Sequence, residues 1–382
     1  MNSVYLSHNN IISAYGFDSA AAVSSIKNEV SGLSLVDDSK ILPNPFYSSL
    51  IPQGSLSEAF EKLNPKEAYT RLEQILLVSL ADTIKKSGIE LSDRVGLIVS
   101  TTKGNIDVLE DDSPFNEERA YLNELGKKIE NFFGFKNEAI VLSNACVSGV
   151  LALAVAKRFI HQKRYDHVFV VAGDLVSKFI LTGFNSFQAL SETPCRPYCK
   201  TRAGINIGEV GCSVLVTADN TNLVDESVRI IGEASCNDAN HISGPSRTGE
   251  GLYRSIVSAM NQAEIEADAI DYISAHGTAT NYNDEMEAIA FNRANLQHTP
   301  LNSLKGYFGH TLGASGLLET IIGMYSLHSN TLFASLGFQE LGVSKPLHII
   351  KKTTAKESSI FLKTASGFGG CNTAAIFQKV NS

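Results

Sequence analysis

Residues Ala139–Ile160 read AIVLSNACVSGVLALAVAKRFI, an apolar run whose hydrophobic period changes around one cysteine. The pattern predicts a buried strand at Ala139–Leu142, a turn with capping residues at Ser143–Asn144, and a helix at Val147–Ile160 that is apolar nearly all round. Cys146 then lies at a helix N-terminus, where unpaired N–H groups and the helix dipole favour the thiolate. This cysteine is therefore a candidate nucleophile, with a buried structural cysteine as the alternative.

Two histidines occupy the same kind of junction in the second half of the chain. His276 lies in YISAHGTAT, where an apolar strand-like run ends in a turn of small residues. His310 lies in LKGYFGHTLGASG, five residues after Lys305 and just before another small-residue helix start. A lone histidine is more often a satisfied or exposed side chain than a catalytic one. Two histidines at such junctions, together with Cys146, indicate a functional set.

The composition is that of an ordinary globular chain, with 382 residues of which 43% are hydrophobic and 19% charged. A formal net charge of −8 gives no broad basic surface, which argues against a nucleic-acid partner. The sequence contains no uncharged apolar run of about 18 residues, so no membrane span is predicted. The N-terminus lacks the basic start and apolar core of a signal peptide, and a cytoplasmic location is therefore expected.

The six cysteines show no spacing typical of a disulfide framework in a chain of this size. Cys195 and Cys199 form a C-x3-C pair, but no second pair or nearby histidine completes a four-ligand zinc site. We therefore expect neither a metal site nor a cofactor.

Four short motifs occur in a fixed order along the chain. They are SNACVSG around Cys146, HGT at His276–Thr278, Lys-x4-His at Lys305 and His310, and GFGG at Gly367–Gly370. In these motifs and their order the sequence resembles the β-ketoacyl-acyl-carrier-protein synthases, the condensing enzymes of fatty acid and polyketide synthesis. The resemblance covers essentially the whole chain. Weaker agreement comes from Arg196–Gly204, Asp238–Pro245 and the pattern Asp284-x-x-Glu287.

Three segments of the first half recur in the same order in the second half. We therefore expect an N-terminal half, 1–222, with the nucleophilic cysteine and a C-terminal half, 223–382, with the histidines. Each half alternates strands and helices, which indicates an α/β protein with parallel strands. The resemblance implies the thiolase-like fold, in which two pseudo-repeated halves form five layers, α-β-α-β-α. The recurring pairs are Ser87–Gly104 with Ser255–Ala279, the segment around Cys146 with Leu301–Met324, and Gly211–Asp219 with Cys371–Val380.

The rest of the first half gives local expectations. Residues 1–35 predict a strand, a loop and a helix ending near Gly32, and the proline-containing residues 36–65 predict an irregular surface excursion. Apolar spacing predicts a helix from about Lys66 to Lys86, followed by a turn and a buried strand. Asn105–Phe132 is strongly charged and predicts a loop followed by an amphipathic helix.

The resemblance implies a role for each residue of the functional set. Cys146 holds the acyl group as a thioester, and His276 and His310 act as neutral N–H donors to the enolate formed when a malonyl thioester loses CO2. Lys305 is implied to be a buried ammonium near His310, with Glu287 as a candidate partner that neutralises it. The sequence leaves open which imidazole nitrogen donates.

The resemblance also implies how the thioester substrate is bound. The N–H groups of Cys146 and Phe368 form the oxyanion hole for the acyl-enzyme, and the Phe368 ring gates the acyl pocket. Glycine in the GFGG loop lets the backbone approach the reacting thioester, and the threonines of the HGT segment hydrogen-bond the pantetheine arm. The implied substrate-binding residues are Thr278, Thr280, Gly367 and Gly369.

The leading functional hypothesis is decarboxylative Claisen condensation of an acyl group on Cys146 with malonyl-ACP. The product is β-ketoacyl-ACP, in fatty acid, polyketide or polyene biosynthesis. The implied partners are loaded acyl carrier proteins (ACP) and a second subunit, either a copy of this chain or a related ketosynthase subunit. One alternative is a non-catalytic, chain-length-factor-like subunit, although such subunits lack the nucleophile. Another is a coenzyme A-dependent, thiolase-like acyltransferase, to which Cys371 gives slight support.

Three residues depart from the family's pattern around the acyl pocket. Val147 follows the nucleophile where smaller or polar residues are usual, Ser366 replaces a common aromatic residue before GFGG, and Cys371 replaces a threonine after it. Together they indicate an altered acyl pocket.

Carrier docking needs a local basic patch because both the chain and its carrier are acidic. The candidates are Lys62, Lys66, Arg71, Lys200 and Arg202.

Overall fold

The computed structural model describes residues 3–110, 112–238, 240 and 244–380. Positions 239 and 241–243 of the segment Asp238–Pro245 therefore lie outside the described residues. The helices are α1 (Ser19–Lys27), α2 (Gln53–Glu61), α3 (Arg71–Ser87), α4 (Leu122–Phe133), α5 (Ser148–His161), α6 (Lys178–Ser186), α7 (Glu250–Ala263), α8 (Asn281–Arg293), α9 (Lys305–Phe308) and α10 (Ser315–His328). In the described ranges, no helix has the length and apolar character needed to cross a bilayer.

The strands are mostly short and alternate with these helices. They are β1 (Tyr5–Ile12), β2 (Ser34–Val36), β3 (Phe46–Ser49), β4 (Val95–Ser100), β5 (Ile140–Leu142), β6 (His167–Asp174), β7 (Ile207–Gly208), β8 (Val210–Thr217), β9 (Val228–Asn237), β10 (Tyr272–Ser274), β11 (Pro300–Asn302), β12 (Thr331–Leu332), β13 (His348–Ile349), β14 (Thr354–Ala355), β15 (Ile360–Gly367) and β16 (Cys371–Lys379).

Among the described residues, eleven strands form one sheet in the order β13-β11-β10-β15-β16-β9-β1-β8-β6-β4-β5. Outward from the β1–β9 junction, the set β1-β8-β6-β4-β5 has the same arrangement as the set β9-β16-β15-β10-β11. In both sets the outer strands pair in parallel and the inner ones antiparallel. Each pair of recurring sequence segments occupies corresponding places in the two sets. The division of the chain at residues 222 and 223 stays a prediction.

The buried side chains lie in layers around these two strand sets. Helices α5 and α10 pack against each other in a central core between the sets. Helix α3 covers the outer face of β8, β1 and β6, and α7 covers the outer face of β9 and β16. The thiolase-like α-β-α-β-α arrangement is therefore confirmed. The two strand sets are not fully separate sheets. The residue pairs Tyr5↔Arg229 and Leu6↔Val228 join β1 of one set to β9 of the other.

The two central helices touch through glycine. A Cβ atom at Gly149 would lie 2.6 Å from the backbone nitrogen of Leu317, and one at Gly316 would lie 2.7 Å from that of Val150. Only residues without a side chain allow the helix backbones to come this close. The N-terminal ends of α5 and α10 are therefore held side by side, which brings together the residues that precede each helix.

Two predictions for the first part of the chain are wrong. Helix α1 ends at Lys27, where the next residue is its C-cap, and does not reach Gly32. Residues 36–65 are not irregular throughout, because β3 and α2 form there. Phe46 and Phe60 are each only 6% exposed. Burial against the rest of the molecule, which the local sequence does not reveal, stabilises these elements.

The helix that precedes β4 begins later than the apolar spacing predicts. Helix α3 starts at Arg71 and not at Lys66, because Thr70 and Glu73 form a capping box. The Thr70 N–H donates to the Glu73 carboxylate at 2.8 Å, and the Glu73 N–H donates to Thr70 Oγ1 at 3.2 Å. The buried strand that follows is confirmed by β4, and the predicted amphipathic helix is confirmed by α4.

Candidate active site

The candidate nucleophile lies on a tight turn between β5 and α5. Ala145 has a left-handed φ of 45°, and the turn places Cys146 directly before α5, which begins at Ser148 and not at Val147. The predicted capping residues do not cap the helix, because its N-cap is Val147, which makes no side-chain hydrogen bond. Instead, Ser148 Oγ accepts from the Asn144 N–H at 2.8 Å and closes the turn. The strained turn, and not a capped helix start, positions the thiol.

A cavity of roughly 730 Å³ opens onto Cys146, His276 and His310. Cys146 Sγ lies 3.1 Å from His310 Nε2. The centroids of the two imidazole rings are 5.2 Å apart, with an angle of 80° between the rings. Both histidines are only 2% exposed. The structure thus brings together the three residues that the sequence places far apart.

The tautomer of His310 is fixed by the backbone that follows it. The Leu312 N–H donates to His310 Nδ1 at 3.2 Å, so Nδ1 is an acceptor and the proton of the neutral ring lies on Nε2. Ser315 Oγ also lies 3.0 Å from Nδ1. His310 therefore directs an N–H group at Cys146. The Nδ1 atom of His276 is buried and has no hydrogen-bond partner among the described residues, so no such contact fixes its proton.

Both imidazoles are suited to remain neutral. Burial lowers the pKa of His310 well below its usual value, and the nearby Lys305 ammonium lowers it further. The pKa of His276 is lowered for the same reasons, with an additional contribution from His310. A neutral ring donates a hydrogen bond without carrying charge into the cavity. This geometry suits N–H donation to an anion that forms during reaction.

The sequence predicts that the helix start lowers the pKa of Cys146, but the structure points in the opposite direction. Burial raises the pKa of this thiol to about 12, although Lys305 and Lys103 act in the opposite direction. A helix N-terminus typically contributes about 0.3–1 kcal/mol, less than one pKa unit. Burial therefore outweighs the helix, and the resting thiol is protonated.

We expect the rate of Cys146 alkylation by iodoacetamide to rise about tenfold per pH unit from about pH 6 to 9, because only the thiolate reacts and its fraction grows tenfold per unit below the pKa. Mass spectrometry of the labelled peptide measures this rate. The partly exposed Cys236 serves as an internal comparison. A Cys146 rate that reaches a plateau near pH 6 would show that the helix start lowers the pKa after all.

Lys305 is a buried ammonium, but its partner is not the predicted one. Its Nζ atom donates to Glu319 Oε1 at 2.9 Å and to the carbonyl oxygen of His276 at 2.5 Å. The carboxylate of Glu287 instead accepts from the backbone N–H groups of His276 at 2.9 Å and Gly277 at 2.7 Å. The pairing of Lys305 with Glu287 is therefore wrong. Glu287 holds the HGT turn, and Glu319 neutralises the lysine.

Sequence reasoning missed two charged residues at this site, Glu319 and Lys363. Glu319 lies in the apolar run SGLLETIIGM of α10, and Lys363 lies in IFLKTA of β15. Lys363 Nζ is 2.6 Å from Glu319 Oε2, and both side chains are almost fully buried. Charged residues are almost never fully buried unless they are paired. A single charge inside an apolar element was therefore the signal that could have found both.

The GFGG loop lies directly against the nucleophile. A Cβ atom at Gly367 would lie 3.0 Å from the Cys146 backbone nitrogen and 2.9 Å from Cys371 Sγ, so a side chain does not fit there. Gly369 has a left-handed φ of 82°. The Phe368 ring is 39% exposed and borders the cavity. It packs on two aromatic rings of the α6 region, Phe184 at 5.7 Å and Phe187 at 5.4 Å between centroids.

Thr278 and Thr280 also border the cavity. Their hydroxyl oxygens are 2.9 Å apart, and Thr280 is the N-cap of α8. The Thr278 N–H donates to Asp284 Oδ1 at 2.9 Å. The acidic pair Asp284 and Glu287 therefore holds the loop that carries His276 and both threonines.

The three departures from the family's pattern have different surroundings. Ser366 borders the cavity, and its hydroxyl donates to Asn372 Oδ1 at 2.8 Å. Val147 is fully buried in the central core. Cys371 Sγ donates to the carbonyl oxygen of Phe368 at 3.3 Å. Of these side chains, Ser366 is thus the one that shapes the cavity wall.

Two groups of residues contain side chains that could bind a metal ion. The Cys195 thiol donates to the carbonyl oxygen of Lys305 at 3.1 Å, so it is engaged by the backbone. Cys146, His276 and His310 offer ligand atoms that all lie within 4.8 Å of one another. However, metal binding through His310 Nε2 would move its proton to Nδ1, against the Leu312 N–H. This donor contact and the nearby Lys305 ammonium disfavour a cation at the three residues.

Three of the five basic residues predicted to bind the carrier have partners within the protein. Arg71 forms an ion pair with Glu209, with an N···O distance of 2.6 Å. Arg202 is only 7% exposed and donates to the carbonyl oxygen of Gly342 at 2.7 Å. These internal contacts leave Arg71 and Arg202 less available to a partner than an unpaired surface residue would be, and the docking patch stays a prediction. Lys62, Lys66 and Lys200 are exposed, and Lys200 pairs with Glu340 at 3.1 Å.

Comparison with known families covers most of the chain. The model of the β-ketoacyl synthase N-terminal domain matches residues 20–221, and that of the β-ketoacyl synthase C-terminal domain matches residues 228–339. The first match alone spans more than half of the 382 residues. It contains Cys146, and the second contains both histidines.

Individual relatives agree with the family models. The tetracenomycin polyketide synthase ketoacyl synthase alpha subunit of Streptomyces glaucescens is 26% identical over 381 residues, 88% of each chain. The 3-oxoacyl-[acyl-carrier-protein] synthase 2 of Vibrio cholerae is 25% identical over 78% of this chain and 80% of its own. A solved ketosynthase in complex with its chain length factor, from Xenorhabdus doucetiae, matches with a TM-score of 0.87 at 25% identity, covering 99% of this chain and 98% of the other. From its fold, its motifs and these matches, the chain belongs to the β-ketoacyl synthase family.

Proposed function

We propose that the protein is a β-ketoacyl-acyl-carrier-protein synthase that joins an acyl group on Cys146 to a malonyl unit. Its family membership makes it a condensing enzyme of fatty acid or polyketide synthesis. The observation that carries the proposal is the 3.1 Å contact between Cys146 Sγ and the N–H-bearing Nε2 of His310, in a cavity shared with His276. A nucleophile beside two N–H donors supplies the groups that acyl transfer and enolate stabilisation need.

The first half-reaction loads the enzyme. The Cys146 sulfur attacks the carbonyl carbon of an acyl thioester, the bond to the carrier sulfur breaks, and the carrier leaves as a thiol with the proton that Cys146 gives up. We assign the backbone N–H groups of Cys146 and Phe368 to the oxyanion of this step. The close packing of Gly367 on the Cys146 amide supports this assignment.

The second half-reaction forms the carbon–carbon bond. The bond between the malonyl carboxylate and C2 breaks, CO2 leaves, and the electron pair passes to the thioester as an enolate. His276 and His310 donate N–H groups to the enolate oxygen. The enolate carbon then attacks the acyl carbonyl, the bond to the Cys146 sulfur breaks, and the expelled thiolate takes up one proton from solvent. The product is a β-ketoacyl thioester on the carrier.

The surrounding residues hold these groups in place. Lys305 binds the carbonyl of His276 and the carboxylate of Glu319, and Glu287 binds the N–H groups of the same turn. We assign Thr278 and Thr280 to the pantetheine arm, because their hydroxyls border the cavity. Gly367 and Gly369 are assigned to substrate binding because they allow the loop to lie close to Cys146.

The proposed partners are an acyl carrier protein and a second ketosynthase-type subunit. The names of the Vibrio and Xenorhabdus relatives include such a carrier and a chain length factor, respectively. In the described part of the chain β5 is the last strand of the large sheet, which leaves one strand edge open. Phe179 and Phe187 are 53% and 52% exposed. These features support a dimer, of two copies or with a related subunit, and a cytoplasmic location stays a prediction.

Reconstitution with purified carriers tests the proposal. The protein is mixed with acyl-ACP, then with malonyl-ACP that carries a labelled carboxylate. We expect an acyl adduct on Cys146 in the first step, and equal amounts of released CO2 and β-ketoacyl-ACP in the second. Intact-protein mass spectrometry and CO2 counting measure both.

Two results would overturn the proposal. CO2 release without an acyl adduct or a β-keto product would point to a non-catalytic partner subunit. Condensation of coenzyme A thioesters without CO2 release would point to a thiolase-like reaction. Acetyl-ACP in place of malonyl-ACP is the matched control, because it has no carboxylate to lose.

A further inference from the structure

A second lysine lies fully buried behind the two histidines. Lys363 is 0% exposed, and its strand β15 pairs in parallel with β10, so that Lys363 lies opposite Ser274. Its Nζ atom donates to the carbonyl oxygens of Ser274 at 3.1 Å, Ala275 at 3.3 Å and Thr364 at 2.7 Å. It also pairs with Glu319 at 2.6 Å. The proposed reaction steps give this ammonium no role.

Lys363 and Lys305 together bind three consecutive carbonyl groups. Lys363 contacts those of Ser274 and Ala275, and Lys305 contacts that of His276. Both ammonium groups share the single carboxylate of Glu319, one on each oxygen. The end of β10 that leads into His276 is therefore held from both sides by one buried cluster.

Both ammonium groups of the cluster act on the two imidazoles. Burial lowers the pKa of His276 and His310 most, and Lys305 and Lys363 lower both further. Burial lowers the pKa of Lys363 itself, but the contact with Glu319 favours its charged form. The positive charge of the two lysines lies behind the imidazoles, where it favours negative charge in the cavity. The titratable and charged groups around the two rings are Cys146, Lys103, Lys305, Lys363, Glu287 and Glu319.

We propose that Lys363 is a positioning residue for decarboxylation: with Lys305 and Glu319 it fixes the end of β10 that carries His276, and it places a positive charge behind both imidazoles. This inference rests on the proposed function. Loss of the charge has a predictable sign, because a nearby cation disfavours protonation of a histidine. Without Lys363 the pKa values of His276 and His310 rise, and the protonated rings that result at acid pH no longer suit the site.

The test compares malonyl-ACP decarboxylation by the wild type, Lys363→Met and Lys363→Gln across pH. For both variants we expect kcat at neutral pH to fall about tenfold, less than the roughly 10²–10³-fold cost of losing a direct donor. KM for malonyl-ACP stays within about twofold of the wild-type value, since Lys363 does not reach the cavity surface. The pH below which decarboxylation activity is lost rises by about one unit in both variants. Lys363→Gln removes the charge but retains a hydrogen-bond donor, so it serves if Lys363→Met does not fold.

Lys157→Met is the matched control. Lys157 is 5% exposed and its Nζ atom donates to Gln262 Oε1 at 2.9 Å, in the C-terminal part of α5. Lys157→Met should keep the wild-type pH profile of decarboxylation. Lys363→Arg keeps a positive charge at this position, so its activity should fall at the same acid pH as that of the wild type. One contrary result is an active wild type whose Lys363 variants keep the wild-type decarboxylation activity. Another is an active wild type whose Lys363 variants lose the same fraction of that activity at every pH. Either result overturns this inference and leaves the proposed function standing. A wild type that does not decarboxylate malonyl-ACP overturns the proposed function and this inference with it.

Discussion

Replacement of Cys146 by alanine is expected to abolish acyl transfer and condensation while the protein remains folded. Its sulfur is the one that lies 3.1 Å from His310 Nε2 at the cavity. Removal of a nucleophile of this kind lowers kcat by about 10⁶-fold. The lost sulfur atom should cost about 1 kcal/mol of the free energy of unfolding, a melting temperature lower by a few degrees at most.

Two controls make the Cys146→Ala result specific. Cys236→Ala changes a partly exposed cysteine of β9 and should retain acylation and condensation. Malonyl decarboxylation should also persist in Cys146→Ala, because both histidines remain. Acyl adducts are measured by mass spectrometry and β-keto products by chromatography. A folded Cys146→Ala protein that still condenses would show that another group is the nucleophile.

The histidine variants should lose decarboxylation before they lose acylation. In His276→Ala and His310→Ala, loss of one N–H donor to the enolate is expected to slow malonyl decarboxylation by about 10²–10³-fold. Acylation of Cys146 should slow less in both. It should slow more in His310→Ala than in His276→Ala, because the N–H of His310 points at the sulfur. Single-turnover acylation and CO2 release measure the two steps separately.

An exposed histidine provides the matched control for these variants. His328 lies at the C-terminal end of α10, and His328→Ala should leave both steps unchanged. Thermal melts check that His276→Ala and His310→Ala remain folded. Variants that decarboxylate normally but cannot be acylated would reverse the assigned roles.

Local sequence signals found the elements that carry the site. Cys146 and His276 each follow an apolar strand-like run and precede small residues, a pattern that depends only on neighbours in the chain. His310 also precedes small residues, but it follows the short helix α9 and not a strand. The recurring segments likewise predicted two related halves, because each copy repeats the same order of elements, and the family resemblance implied the thiolase-like layers. Helix starts were less accurate, as the Thr70 capping box shows.

Contacts between distant segments were not readable in the same way. The sequence paired Lys305 with Glu287, but the partner is Glu319, because α10 crosses behind the HGT turn and brings that carboxylate within 2.9 Å. The ion-pair partner of a buried lysine depends on which side chain packs against it, and spacing along the chain does not encode this. Lys363 was missed although a single charge inside an apolar strand is visible in the sequence, but its contact with Glu319 depends on the same packing.

The sequence by itself determined the candidate nucleophile and histidines and the family, because short motifs with defined local geometry carry them, and the family resemblance implied the thiolase-like fold. Only the tertiary structure decided the protonation of the site. The Leu312 N–H places the His310 proton on Nε2, and burial raises the pKa of Cys146 to about 12 although a helix begins beside it. Both effects arise from solvent exclusion and from backbone groups that approach after folding, which no local pattern records.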